Sequence, residues 1–317
     1  MSFQCIGIVG AGRMGADMVT LALAHGLRVV AVDSGEARRS GLSAQVTRGL
    51  EQLEQHLRWD PARFAGWEQR LTIAPLCLAL APCEFVIESV FEDASVKADV
   101  LREIESAVGP RVPIGSNTSS LPITQLQTGL NHPERVLGMH FCQPAYAVPF
   151  LEIIRGEMTS EETFSAGEAL GLQLGKEPCL VRKDAPGFVV NRLGYALYRE
   201  ALHLVAEGIS DPESIDRAVR NTLGIFTPLC GPFRWMDISG GPALYGKAME
   251  TIFPSLDNSD KPSALIQRLM EAKAGGVDTG AGFYEYAEED AAIWDNRYRE
   301  HVWRQLQLRQ ESPESDD

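Results

Sequence analysis

Residues 5–15 read CIGIVGAGRMG, a short apolar run that leads directly into the pattern G-x-G-x-x-G. The apolar run predicts a buried strand, and the apolar spacing from residue 13 to His25 predicts a helix. A second apolar run, residues 27–32, ends on Asp33. A strand, a glycine turn, a helix, a second strand and an acidic residue, in this order, are typical of a dinucleotide-binding unit.

The residues of the glycine turn have separate predicted tasks in binding the dinucleotide. Gly10 makes the tight turn, Gly12 lets the backbone approach a pyrophosphate, and Gly15 lets the helix pack closely against the strand. The N–H groups at the start of the helix, where Arg13 and Met14 lie, would face the phosphates. These five residues are therefore candidates for cofactor binding.

Asp33 favours NAD over NADP. It lies about twenty residues beyond the glycine turn, where a carboxylate can accept hydrogen bonds from ribose hydroxyls and would repel a phosphate on that ribose. The nearby Arg38 and Arg39 weaken this preference slightly. The alternative is a glycine turn in some other α/β protein, and the flanking strands and the acid argue against it.

Composition and charge limit the kinds of partner. The chain has 317 residues and a formal net charge of −14, which argues against a nucleic acid or an anionic membrane because either requires a basic surface. No apolar run approaches the length of a membrane span. The six cysteines show neither paired nor metal-ligand spacing, so we expect free thiols, a cytoplasmic location and no metal site. A small molecule is the expected partner.

Strand and helix patterns alternate over the first part of the chain. They predict an α/β fold, a Rossmann-type, doubly wound and mostly parallel sheet over residues 1–184, with one of its helices from Val96 to Val108. Residues 185–309 have helical spacing and predict an all-helical second domain. Residues 310–317 are acidic and polar and predict a disordered tail. Ligands of such sheets bind at the carboxyl ends of the strands.

A set of motifs runs along the chain: Gly7–Asp33, Glu92 with Lys97, Asn117–Ser120, Gly138–Phe141 with Pro144, Glu152, Pro186–Arg192 and Gly282–Tyr286. In order and spacing, these motifs resemble those of the L-3-hydroxyacyl-CoA dehydrogenase family. Several motifs in register are more specific than any one of them. The resemblance implies oxidation of a hydroxyl group with NAD, and a homodimer formed through the helical domain.

The resemblance assigns four catalytic candidates. His140 is the implied base and Glu152 its carboxylate partner, which fits the chemistry because histidine titrates near neutral pH and a carboxylate orients its ring. Ser119 and Asn191 are implied to hydrogen-bond the reacting oxygen. The alternatives are a structural histidine, turn chemistry at Ser119 and a helix-surface amide at Asn191.

The resemblance also adds candidates for cofactor binding. Glu92 and Lys97 match positions near the nicotinamide ribose, and Asn117 belongs to the same set. A solvated ion pair is the alternative for Glu92 and Lys97. Cys142 lies two residues from His140, and a cysteine near a histidine suggests a reactive thiol. It is better explained as a small packing residue.

The substrate handle departs from the family pattern. The CoA enzymes carry lysines on the helix after the second strand, where they meet the CoA phosphates, but residues 41–60 contain no lysine. Residues 145–152 and the terminal helix, residues 294–309, resemble instead the branch that acts on small free hydroxy acids such as L-gulonate or L-carnitine. The predicted activity is that of an NAD-dependent L-3-hydroxyacyl-CoA dehydrogenase, with a free 3-hydroxy acid as the alternative substrate.

Two rival functions are considered. The β-hydroxyacid dehydrogenases share the glycine motif but use a catalytic lysine; Lys176 is the nearest candidate and lacks that family's partner asparagine, whereas His140 is present. A non-catalytic, crystallin-like NAD-binding protein would keep Asp33 but could lose the pair of His140 and Glu152, and this chain has both.

Overall fold

The computed structural model describes residues 1–311, which divide into two compact units. The first unit, Met1–Arg192, contains one eight-stranded sheet. Its strands are β1 Cys5–Val9, β2 Arg28–Val32, β3 Leu71–Ala74, β4 Phe85–Glu88, β5 Ile114–Ser116, β6 Val136–Phe141, β7 Phe150–Ile154 and β8 Glu177–Val181. Its helices are α1 Arg13–Ala24, α2 Glu36–Leu57, α3 Ala94–Ala107, α4 Ile123–Gln127 and α5 Glu161–Gln173.

The strands lie in the order β3-β2-β1-β4-β5-β6-β7-β8. The first six are parallel, whereas β7 pairs antiparallel with β6 and parallel with β8. The chain therefore reverses its order between β1 and β4, which is the point where such sheets bind ligands. The sheet confirms the predicted Rossmann-type fold.

Apolar side chains fill both faces of the sheet, as a parallel sheet covered by helices requires. β1 and β4 are buried along their whole length, and α1 buries nine of its twelve residues. Helix α3 begins at Ala94, two residues before the predicted start, because the Asp93 carboxylate caps the amides of Ser95 and Val96 at 2.9 and 3.0 Å.

The second unit begins at Leu193, and its described part is helical. Its helices are α6 Val190–Ala206, which starts in the first unit, α7 Pro212–Asn221, α8 Leu223–Phe226, α9 Pro232–Ile238, α10 Gly241–Ile252, α11 Ala264–Glu271 and α12 Asp290–Glu311. Within residues 1–311, no helix combines the length and the apolar character needed to cross a bilayer.

The first compact unit ends at residue 192, inside α6. Residues 185–192 fold with the sheet because the amides of Val189 and Val190 bind Glu152, which lies in β7. Helix α12 includes Gln310 and Glu311, the first two residues of the predicted tail, since glutamine and glutamate are good helix formers. The rest of that tail, residues 312–317, lies outside the described residues.

Candidate active site

The glycine turn joins β1 to α1 with the geometry that a pyrophosphate requires. Gly10 has a φ of 99°, a conformation that favours glycine, and its amide donates to Val32 O at 2.8 Å. A Cβ on Gly15 would clash with the Gly10 carbonyl, whereas a Cβ on Gly12 would meet no atom within 4 Å. The open space at Gly12 fits the approach of a dinucleotide. Arg13 is exposed and Met14 half-buried in the first turn of α1.

Asp33 lies at the end of β2 beside the glycine turn. Its carboxylate accepts from the amides of Ala11 at 2.8 Å and Gly35 at 2.7 Å, and Arg38 Nε donates to both of its oxygens at 2.8–2.9 Å. Burial acts to raise the pKa of Asp33, but these hydrogen bonds outweigh it and hold that pKa below its ordinary value. Asp33 is therefore an anion, and the exposed Arg38 (56%) shares it.

His140 and Glu152 lie opposite each other on the antiparallel strands β6 and β7. His140 Nδ1 is 2.7 Å from Glu152 Oε2, and the histidine side chain is 11% exposed whereas that of the glutamate is fully buried. Because a carboxylate only accepts hydrogen bonds, we assign the proton to Nδ1, which leaves Nε2 with a lone pair. The buried carboxylate thus fixes the orientation of the His140 ring.

A tight turn before α6 supplies two further donors to Glu152. The amides of Val189 and Val190 donate to Glu152 Oε1 at 2.8 and 3.0 Å, and the positive φ values of Gly187 (75°) and Phe188 (52°) form the turn that presents them. Burial alone would raise the pKa of Glu152, but the hydrogen bonds from His140 and these amides lower it. Glu152 therefore stays ionised at the start of a helix, where an anion is favoured.

Lys97 is buried between two carboxylates. Its Nζ lies 2.8 Å from Glu88 Oε1 and 3.3 Å from Glu92 Oε2, and its side chain is 1% exposed. Ser116 Oγ donates to the other oxygen of Glu88 at 2.6 Å. The alternative of a solvated ion pair at Glu92 and Lys97 is wrong, because Lys97 is enclosed at the end of β4.

Glu92 organises the segment that follows β5. Its Oε1 accepts from Thr118 Oγ1 at 2.6 Å and from the amides of Ser119 and Ser120 at 2.9 and 3.1 Å. Burial opposes the charge, but the Thr118 hydroxyl, Lys97 and the two amides lower the pKa of Glu92 to about 2. Glu92 is thus an anion that holds Ser119 in place.

Two asparagines connect neighbouring segments of the site. Asn117 Oδ1 accepts from the Phe141 amide at 2.9 Å, which joins the ends of β5 and β6. Asn191, in the first turn of α6, donates from Nδ2 to Ser119 O at 2.9 Å. Asn191 is therefore not a free surface amide, and Ser119 and Asn191 lie together. Their contacts to substrate, and that of Asn117 to the cofactor, stay predictions.

The Cys142 thiol is not poised for reaction. Burial and then the charge of Glu152 raise the pKa of Cys142, and Lys176 only partly opposes them. The thiol is therefore neutral near pH 7 and lacks the thiolate that a nucleophile needs. All six cysteines of the chain are free.

Sequence reasoning missed two features of this site. Glu88 follows the apolar residues 85–87, and a single acid at the end of such a run signals a buried partner such as Lys97. The amides of Val189 and Val190 were also missed, since backbone donors have no signature of their own in the sequence.

A glycine turn open to a pyrophosphate, an acid at the end of β2 and a histidine–carboxylate pair at the end of β6 define a nicotinamide-dependent dehydrogenase. The family model described as "3-hydroxyacyl-CoA dehydrogenase, NAD binding domain" matches residues 5–185, and "3-hydroxyacyl-CoA dehydrogenase, C-terminal domain" matches residues 187–286. The chain belongs to this family, whose members are NAD-dependent oxidoreductases that act on CH–OH groups.

Similar proteins are named for different substrates. The chain is 35% identical over 302 residues to 5-formyl-3-hydroxy-2-methylpyridine 4-carboxylate 5-dehydrogenase of Mesorhizobium japonicum, covering 94% of this chain and 96% of that protein. It is 34% identical over 273 residues to L-carnitine dehydrogenase of Pseudomonas aeruginosa, covering 84% of each.

Two solved structures show the same contrast. The structure of a 5-formyl-3-hydroxy-2-methylpyridine 4-carboxylic acid 5-dehydrogenase, an NAD-dependent dismutase, matches with a TM-score of 0.88 at 31% identity, covering 99% of this chain and 100% of that one. An (S)-3-hydroxybutyryl-CoA dehydrogenase from Ralstonia eutropha matches with a TM-score of 0.76 at 35% identity, covering 90% and 100%.

Substitution of two glycines should separate folding from cofactor binding. Gly15→Ala places a methyl group against the Gly10 carbonyl and should destabilise the fold by about 1–3 kcal/mol. Gly12→Ala meets open space and should change stability by no more than about 0.5 kcal/mol, yet weaken NADH binding about tenfold. Thermal unfolding and NADH fluorescence titration measure the two effects. Unchanged NADH affinity in Gly12→Ala would place the pyrophosphate elsewhere.

Glu92 should contribute to the acid sensitivity of the fold. Its pKa is about 2 when folded and 4.5 ordinarily, so its stabilisation is present above pH 4.5 and is lost as the pH falls from there towards 2. Over this range the wild type should lose more stability than Glu92→Gln, as measured by urea unfolding at stepped pH. The exposed Glu51→Gln is the control and should behave as wild type. Equal slopes in wild type and Glu92→Gln would contradict the assignment.

Proposed function

We propose that this chain oxidises the L-3-hydroxyl group of a small free hydroxy acid to a carbonyl, with His140 as the base. The observation that carries the proposal is the 2.7 Å hydrogen bond from His140 Nδ1 to a fully buried Glu152. This hydrogen bond joins strands β6 and β7, which are the third and fourth strands from β1 on one side of the sheet. The glycine turn follows β1. A dehydrogenase needs a proton acceptor there, because alcohol oxidation removes a proton from oxygen together with a hydride from carbon.

The pair of His140 and Glu152 is proposed to accept the proton of the substrate hydroxyl group. With Nδ1–H directed at the carboxylate, Nε2 accepts the hydroxyl proton, and the imidazolium that forms is stabilised by Glu152. In the reverse direction the same nitrogen returns the proton to a carbonyl oxygen. The lowered pKa of Glu152 keeps the negative charge on the carboxylate throughout.

Ser119 and Asn191 are proposed to hold the reacting oxygen. A hydroxyl and an amide can both hydrogen-bond an oxygen that passes between alcohol and carbonyl. The bond from Asn191 to the Ser119 carbonyl and the bonds from Ser119 to Glu92 restrict both residues. Such restriction favours a reactive geometry because fewer orientations have to be lost.

The cofactor residues of this chain are proposed to be the glycine turn, Asp33 and the cluster at Glu92. NAD supplies the hydride acceptor when bound. Asp33 would accept from a ribose hydroxyl in place of, or together with, the exposed Arg38. Glu92 would face the nicotinamide end, since β4 lies next to β1 in the sheet. The enclosed Lys97 would act through its 3.3 Å contact with Glu92.

The charge on α2 favours a free acid over a CoA thioester. In this family the helix after the second strand is expected to present lysines to the CoA phosphates, but α2, Glu36–Leu57, has none. Its arginines 38 and 39 bind Asp33 and the carbonyls at the end of β2, and its exposed face carries Glu51 and Glu54. The exposed Arg48 lies near these two acids, so this face attracts a ligand with several phosphate charges less than a face that presents lysines would.

The names of the relatives support the same substrate class. A pyridine carboxylate and L-carnitine are both small carboxylates, and this chain's matches to proteins named for them cover 96% and 84% of those proteins. The structure named for the pyridine carboxylate also has the higher TM-score, 0.88 against 0.76. A 3-hydroxyacyl-CoA is the second candidate, supported by relatives named 3-hydroxybutyryl-CoA dehydrogenase.

Exposed apolar side chains on α6 support the predicted homodimer. Leu193, Tyr195 and Tyr198 are 62%, 70% and 58% exposed, and such a surface favours subunit contact. Light scattering tests this proposal, and a monomer at micromolar concentration would exclude it.

The free cysteines support the predicted cytoplasmic location, because reducing compartments keep thiols unpaired.

A panel of substrates tests the proposed function. NAD reduction is measured in parallel with L-carnitine, L-gulonate, free 3-hydroxybutyrate and 3-hydroxybutyryl-CoA. We expect kcat/KM for at least one small acid to exceed that for the CoA ester by about tenfold or more, a difference of about 1.4 kcal/mol. The opposite order would establish the CoA ester. NADH binding without turnover of any compound would favour a non-catalytic NAD-binding protein.

Removal of the base should stop turnover without affecting the cofactor. His140→Ala should lower kcat by about 10²–10⁴-fold, while NADH affinity stays near that of wild type. The exposed His132 forms a 3.3 Å pair with Glu134, so His132→Ala is the matched control and should keep full activity. If His140→Ala retains most of its activity, another group is the base.

A further inference from the structure

The connection between β6 and β7 determines which residue lies opposite His140. The antiparallel register pairs Phe141 with Leu151 and His140 with Glu152, and residues 142–149 join the two strands. Because side chains alternate between the faces of a sheet, a slip of one residue would turn Glu152 to the opposite face. The conformation of residues 142–149 is therefore a condition for the histidine–carboxylate pair.

Lys176 binds the backbone of this connection through its buried amine. It precedes β8, is 5% exposed, and its Nζ donates to the carbonyls of Ala145 and Val148, the latter at 2.6 Å. The same connection is held at Ala145 N by the Asp17 carboxylate at 3.1 Å. One buried amine thus binds two carbonyls three residues apart within the segment.

We propose that Lys176 is a positioning residue, which fixes residues 142–149 and thereby keeps His140 in register with Glu152. The amine acts through the backbone of the connection, so it needs no contact with substrate or cofactor. The inference rests on the proposed function only where activity is measured.

The charge state of Lys176 suits this task. Burial lowers the pKa of Lys176 to about 7, and the nearby Cys142 and Asp17 side chains only partly oppose this effect. His25, whose pKa is lowered mainly by burial, faces the same amine. A neutral amine still has two N–H donors for the two carbonyls, so the anchor survives deprotonation. An arginine would instead bury a permanent charge.

The first test measures the hydrogen bond itself and does not depend on turnover. The proton between His140 Nδ1 and Glu152 should give a low-field NMR resonance in the NADH-bound protein, assigned by its absence from His140→Gln. We expect Lys176→Met to lose or shift this resonance, and the exposed Lys183→Met to keep it. An unchanged resonance in folded Lys176→Met would overturn the proposal. If Lys176→Met does not fold, Lys176→Gln gives the same comparison, with a shifted resonance expected.

The second test is chemical rescue of activity. Lys176→Ala should lower kcat by about 10–100-fold, as expected for a small misplacement of a catalytic group, with NADH affinity near that of wild type. Propylammonium or butylammonium should restore part of kcat in Lys176→Ala but not in Lys176→Met, where the side chain fills the space. Full activity in Lys176→Ala would overturn the proposal. If no compound in the substrate panel is turned over, the proposed function fails, and the resonance alone decides on Lys176.

Discussion

A buried negative charge is the constraint on which the site depends. Glu152 is fully buried, and an ion without water needs several close donors to stay charged. It finds them in His140 and in the amides of Val189 and Val190. The first comes from the antiparallel pairing of β6 with β7, and the others from the turn before α6. The buried charge therefore lies at the antiparallel pair of the otherwise parallel sheet.

The first turn of helix α6 contacts both Glu152 and the segment that holds Ser119. The Val190 amide donates to Glu152, and Asn191, one residue later, donates to the Ser119 carbonyl. Ser119 is in turn held by Glu92, whose charge is shared with the buried Lys97. The proposed proton acceptor and the residues proposed to hold the reacting oxygen are thus connected through fixed hydrogen bonds. Because these hydrogen bonds order several groups together, the site reaches its geometry without a separate entropic cost for each group.

Local patterns carried much of the prediction. The turn at Gly10 and Asp33 follow continuous apolar runs, which are typical of buried strands. His140 and Glu152 were predicted from the resemblance to the family. Lys176 was weighed only as a catalytic candidate, because nothing in its neighbourhood indicates that its partners are two carbonyls some thirty residues away. Glu88 and Lys97 pair across a strand and a helix, which spacing alone does not specify. The substrate depends on the surface around the site, and surface shape has no motif.

The strand register that pairs His140 with Glu152 has a consequence for how such proteins diverge. Because the main chain of two neighbouring strands sets this pair, mutations in the surrounding helices and loops can alter the shape and charge of the ligand cleft while the proton-handling centre is preserved. Such a separation would fit the different substrates for which similar proteins are named: a pyridine carboxylate, carnitine and a hydroxybutyryl thioester. Redesign toward a new alcohol would best begin in those helices and loops and leave β6 and β7 untouched.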